Sequence, residues 1–149
     1  MAAGKPTRPG PGARVLVLED DVLNAFLMED TLQFSGHRVI GPARSIAQAL
    51  TLIATREIEA AILDVQIGES VSFEVGYRLD ELGIPWAITT AHAPSVVAPH
   101  FPDVPLLSKP FTVTELQDLI AGLLDGRTAR GDSGAPPPRP IPPSPRRSP

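Results

Sequence analysis

The chain has 149 residues, 42% of them hydrophobic, which is one domain's worth of sequence with enough apolar content for a real core. It contains no cysteine, and this excludes a disulfide framework, a thiol nucleophile and any thiolate metal site. The net charge is -4, but both ends are basic, so the stretch between them is far more acidic than that figure and argues against nucleic acid as the partner of the folded part.

Residues 1–13, MAAGKPTRPGPGA, carry basic side chains with no apolar stretch behind them and read as a disordered N-terminal arm rather than an export signal. No run anywhere approaches the roughly 18 apolar residues of a membrane span, so a cytoplasmic protein with no membrane partner is expected. VLVL (15–18) reads as a first strand buried on both faces, and Glu19, Asp20 and Asp21 follow it. Leu23, Ala25, Leu27, Met28, Leu32 and Phe34 then supply a first helix closed by Gly36. RVIG (38–41) is a second strand. Ile46, Ala49, Leu50 and Ile53 repeat at helical spacing behind Ser45, which can cap them, and Gln48 can complete a capping box. AAIL (60–63) is a third strand that stops on the lone acid Asp64. Val75, Leu79 and Leu82 mark another helix, closed by Gly83, and WAIT (86–89) a fourth strand. Pro94, Pro99, Pro102 and Pro105, in the stretch from Ala91 to Pro105, leave room for only a short or irregular fourth helix. PLL (105–107) is the fifth strand. Thr112 and Glu115 frame a final helix with apolar positions Leu116, Leu119, Ile120, Leu123 and Leu124. Residues 126–149 place eight prolines among the last fourteen positions and five arginines against one aspartate, the composition of a disordered tail. The folded domain is therefore expected over residues 14–125, as a doubly wound α/β fold on a five-stranded, mainly parallel sheet.

In such a sheet, right-handed crossovers bring the carboxyl ends of all strands to one rim, where ligands bind. Four of the five strands deliver a charged or hydroxyl side chain there: Glu19 and Asp20 after the first, Asp64 after the third, Thr90 after the fourth and Lys109 after the fifth. The second strand runs instead into Gly41 and Pro42. Clustered carboxylates repel unless a hard cation such as Mg²⁺ sits among them. Asp64 then serves as ligand and nucleophile toward a phosphoryl group, whose oxygens are neutralised by the metal, the Lys109 ammonium and the Thr90 hydroxyl. Taken singly, each residue has a structural explanation: Asp20 as an N-cap, Asp64 as a strand-end acid, Lys109 as its ion-pair mate.

VLVLEDD, AAILD, ITTA and LLSKPF occur in this order over residues 14–124, and in them the chain resembles the receiver domain of two-component response regulators. That resemblance implies a flavodoxin-like sheet with strand order 2-1-3-4-5. It implies that Asp64 is the phosphoacceptor, that Asp20 binds Mg²⁺ directly, that Glu19 binds it largely through water, and that Gln66 contributes its backbone carbonyl. It makes Thr90 the switch hydroxyl with the Ala91 N–H beside it, and Lys109 the phosphoryl counter-ion, joined to Pro110 by a cis bond. The stretch DVQIGES followed by FEVGYRLDELGIPW is similar to single-domain bacterial regulators of the FATGUY group. In that group the fourth strand ends Phe-Ala-Thr-Gly; here it ends Ile88, Thr89, Thr90, Ala91, which leaves Thr89 as an outside candidate for the switch. Receivers often carry an aromatic residue three positions before the lysine, and this chain has Leu106, so a reorganisation of residues 91–105 driven through Thr90 is the expected output. His92, two residues after Thr90, stands where the family tunes acyl-phosphate lifetime; His37 and His100 read as surface residues.

The resemblance thus implies a stand-alone response regulator, not an enzyme beyond its own phosphorylation and dephosphorylation. Its partners would be a sensor histidine kinase or phosphotransfer protein and an unidentified downstream protein, with no nucleic acid. A phosphorelay intermediate or phosphate sink falls within the same class. The alternative from another class is a Mg²⁺-dependent phosphohydrolase with an aspartyl nucleophile, which usually has a second acid two residues on, where this chain has Gln66. A scaffold that is never phosphorylated is disfavoured because no acceptor or metal residue is lost, and nucleotide binding because no Gly-rich phosphate loop is present.

Overall fold

The computed structural model describes residues 12–91 and 101–133. In chain order the elements are β1 (Arg14–Leu18), α1 (Val22–Phe34), β2 (Arg38–Ala43), α2 (Ile46–Thr55), β3 (Ala60–Asp64), β4 (Gln66–Ile67), β5 (Ser70–Val71), α3 (Phe73–Leu82), β6 (Trp86–Thr90), β7 (Leu106–Ser108) and α4 (Val113–Ser133). The five long strands pair in parallel in the order β2-β1-β3-β6-β7, which is the expected 2-1-3-4-5 order once the two-residue strands β4 and β5 are set aside. The N-terminal arm up to residue 11, the expected fourth helix, His92, His100 and the chain beyond Ser133 lie outside the described residues. Helix α4 continues to Ser133, past Leu124, where its apolar repeat ends.

Alternation along the strands divides the core into two layers. Leu16, Leu18, Ala61, Leu63 and Ile88 face one side, where α2 and α3 supply Ala49, Ile53, Val75 and Leu79. Val15, Val17, Ala60, Ile62 and Ala87 face the other, where α1 and α4 supply Met28, Leu32, Leu116, Ile120 and Leu123. Each such Leu, Ile or Val contributes about 1.5–3 kcal/mol on full burial, and both faces of the sheet are covered, as a parallel sheet requires.

Local chemistry sets the helix ends. Thr112 Oγ1 accepts the Glu115 N–H at 3.0 Å while Glu115 Oε1 accepts the Thr112 N–H at 2.9 Å, a complete capping box. At α2 the box is displaced: Ser45 Oγ accepts the Gln48 N–H at 3.0 Å, but Gln48 Oε1 reaches one residue further back, to the Arg44 N–H at 2.9 Å. The cap of α1 is Asp21, whose Oδ1 accepts from the N–H groups of Leu23 and Asn24. In α1 the reading of Leu23 and Phe34 as part of the helix's apolar pattern does not make them core. Ala25, Met28 and Leu32 are buried, whereas Leu23 and Phe34 are 78% and 84% exposed. Two positions along a helix differ by about 200°, so Leu23 and Phe34 point away from the face that Ala25 and Leu32 occupy.

Phe101, the first described residue after Ala91, is buried. Its ring packs against Trp86, Tyr77 and Phe73 with centroids 4.8, 5.0 and 5.1 Å away. Trp86 is fixed in turn by an Nε1–H bond to Asp80 Oδ1 at 2.9 Å. It also lies so close to Gly76 that a Cβ there would stand 2.4 Å from Cη2.

Candidate functional site

Strand topology alone delivers the site residues to one rim. The Glu19 N–H extends the β1–β2 ladder by donating to the Ala43 carbonyl at 2.9 Å, and Glu19 follows it into the interior, fully buried. Asp64 ends β3 and is 6% exposed. The Lys109 N–H donates to the Thr90 carbonyl at 2.8 Å, holding the residue after β7 to the tip of β6. From there the Lys109 ammonium bridges two acids, donating to Asp64 Oδ2 at 2.8 Å and to Glu19 Oε1 at 3.0 Å.

The remaining carboxylate oxygens meet backbone donors. Glu19 Oε2 accepts the Asp21 N–H at 3.0 Å, and Asp64 Oδ1 accepts the Gln66 N–H at 3.3 Å. Asp20 Oδ2 accepts the Gly68 N–H at 2.7 Å. That donor is presented by the β4–β5 hairpin, whose two-residue loop Gly68–Glu69 places Gly68 at φ 60, a conformation that favours glycine. Ser72 Oγ donates to the Asp64 carbonyl at 2.7 Å and pins the hairpin's return to the acid. Gly68 and Ser72 escaped the sequence reading. A Gly-Glu pair between Ile67 and Ser70 was the available signal, but strands of two residues carry no period.

The structure therefore brings Glu19, Asp20, Asp64 and Lys109 together, and the three carboxylates offer ligand oxygens all within 4.8 Å of one another. Three hard anionic oxygens suit a cation of the Mg²⁺ class, which completes its shell with water. Thr90 stands buried at the tip of β6 with Ala91 exposed beside it. The Lys109–Pro110 peptide is cis, as the resemblance implied, and so is Gly41–Pro42.

Burial and charge tune the two central groups. Burial pushes the Glu19 carboxyl up to about 7 against the opposing Asp21 N–H and Lys109 hydrogen bonds, and the charge of Asp64 adds to the rise. Burial alone would lower Lys109, but the hydrogen bonds and charges of Asp64 and Glu19 outweigh it and hold the ammonium above its ordinary value. Lys109 is thus a permanent cation, while in metal-free protein Glu19 is partly protonated near neutrality. The unfolded carboxyl titrates near 4.5 and the folded one near 7, so the contribution of Glu19 to stability is full below 4.5 and lost as the pH rises through 7. Urea unfolding in EDTA should show wild type losing stability relative to Glu19→Gln between those two pH values.

Neither a family sequence model nor any curated protein matches the chain. Solved structures do. The response regulator PhyR from Brucella abortus superposes with a TM-score of 0.75 at 25% identity, covering 83% of this chain and 52% of PhyR, so the chain spans about half of that protein's length. A response regulator receiver protein from Sinorhizobium medicae gives 0.71 at 25% identity, covering 78% of this chain and 97% of its own. A CheY-like receiver domain protein from Methanospirillum hungatei gives 0.72 at 22%, covering 80% and 99%. The structural neighbours of this chain are response regulator receiver domains, with PhyR and single-domain receivers among them.

Proposed function

We propose that the chain acts in the cytoplasm as a phosphorylation-controlled receiver, taking a phosphoryl group onto Asp64 from a histidine kinase or phosphotransfer protein and signalling through a downstream protein. The observation that carries this reading is the Lys109 ammonium bridging Asp64 and Glu19 with Asp20 in the same cluster. A carboxylate is a weak nucleophile toward a phosphoryl anion unless the charge on the transferred oxygens is offset, and a fixed ammonium beside the attacking carboxylate does part of that.

In the reaction, a lone pair on an Asp64 carboxylate oxygen forms the O–P bond as the P–N bond of a phosphohistidine breaks, its electron pair leaving with the imidazole nitrogen. Lys109 transfers its hydrogen bond from the Asp64 oxygen to a phosphoryl oxygen. Thr90 and the Ala91 N–H supply further donors at the same rim, and His92 follows them in sequence as a modulator of the attacking water. Hydrolysis ends the phosphorylated state: water attacks phosphorus, the Asp64 O–P bond breaks, inorganic phosphate leaves and the Asp64 carboxylate is restored. Glu19, Asp20, Asp64 and the Gln66 carbonyl are the residues that would hold Mg²⁺, and when bound that ion neutralises phosphoryl charge.

Incubation with Mg²⁺ and acetyl phosphate, followed by intact mass measurement, tests the reading. Wild type should gain one phosphoryl group and Asp64→Asn none. An adduct that persists in Asp64→Asn, or steady turnover of phosphate esters, would move the assignment to another acceptor or to a hydrolase.

A further inference from the structure

Among the described side chains, Thr89 presents a puzzle that the proposed chemistry leaves unused. It is fully buried and its hydroxyl has no hydrogen-bond partner. An unpartnered buried hydroxyl is costly enough that a valine of the same shape is the better choice, unless another state of the protein supplies a partner.

Strand register shows where that hydroxyl sits. Thr89 pairs with Asp64 on one side and with Leu107 on the other. Two rungs earlier the pair Ile62 and Ala87 faces the α1–α4 layer, so alternation returns Asp64 and Thr89 to that same face, where Leu107 also packs. Thr90, paired with Ser108, takes the opposite face. Lys109 leaves the chain after β7, yet its ammonium bonds Asp64 on β3 and Glu19 after β1. To reach them it crosses β6, and the β6 side chain at that level on that face is Thr89. An ammonium has three N–H donors, of which Asp64 and Glu19 take two.

We propose that Thr89 is a positioning residue for Lys109: once Asp64 carries a phosphoryl group, the Thr89 hydroxyl accepts the third N–H of the Lys109 ammonium and holds it against the phosphoryl oxygens. This rests on the receiver reading above. Forming the acyl phosphate takes the negative charge off the Asp64 carboxylate that Lys109 now bonds, Lys109 must shift, and a second acceptor on the strand it crosses sets where it comes to rest. Thr89 is thereby distinct from Thr90, whose side chain approaches from the other face of the sheet.

The test uses the full chain with Mg²⁺ and beryllofluoride, a phosphoryl mimic, with binding followed by fluorescence or NMR titration and stability by urea unfolding. Thr89→Val should be at least as stable as wild type without the mimic but bind beryllofluoride roughly tenfold more weakly, and Thr89→Ser should restore the affinity. Thr89→Ala should show the same weakened binding, which separates loss of the hydroxyl from any effect of the valine shape. Equal affinity for wild type and Thr89→Val, or failure of Thr89→Ser to restore it, overturns the assignment while leaving the receiver reading intact. Absence of binding by wild type itself overturns both.

Discussion

Replacing Lys109 by methionine is expected to cost about 3–5 kcal/mol of stability at pH 8 in EDTA, and much less at pH 5. The ammonium is the shared partner of a fully buried Glu19 and a nearly buried Asp64, so its removal leaves two carboxylates facing each other away from water. At low pH Glu19 escapes by protonation; as the pH rises the folded state must either hold a costly charge pair or keep a proton that the unfolded chain releases, so the penalty grows with pH. Denaturant unfolding at the two pH values measures this directly. Equal stability of variant and wild type at pH 8 would show that the pair is not desolvated. Glu19→Gln combined with Lys109→Met should recover part of the loss, because one of the two stranded charges is then gone.

Phe101→Ala should be of similar size, about 3–5 kcal/mol, for a different reason. Phe101 is buried against Phe73, Tyr77 and Trp86, and Trp86 is not free to move into the space its loss would leave. Trp86 packs directly over Gly76, where no Cβ intervenes, and is held by its hydrogen bond to Asp80. A rigid surround keeps the cavity open, and that is the costly case. Phe101→Leu, which keeps most of the volume, should cost well under half as much. Trp86 is the only tryptophan, so its emission should shift in Phe101→Ala as water gains access to the ring, giving a readout beside the denaturation midpoint.

The sheet was legible because its strands are buried on both faces, which writes them as unbroken apolar runs between turn signals. The rim followed from handedness: once the crossovers are right-handed, the residues after those runs must share an edge, and Glu19, Asp20, Asp64 and Lys109 do. Thr112 and Glu115 were legible as a reciprocal cap because both halves of that signal lie within four residues. What stayed hidden depends on contacts that no local pattern carries. The bond from Gly68 to Asp20 joins residues 48 apart, through a hairpin too short to alternate. The outward orientation of Leu23 and Phe34 was obscured because α1 is apolar nearly all round, so that composition could not say which stripe faces the sheet. Thr89 and Thr90 are adjacent and chemically identical, and only register separates their faces.

The bridge made by Lys109 also has a consequence for how the molecule comes together. Its two hydrogen bonds join residues 45 and 90 positions apart, so each closes a long loop of chain whose entropy must be overcome before the bond forms. A fragment ending between β3 and β6 would contain all three acids without the lysine that bridges Glu19 and Asp64. The Lys109 bridge is therefore a property of the completed tertiary structure, forfeited as soon as β7 comes away from the sheet.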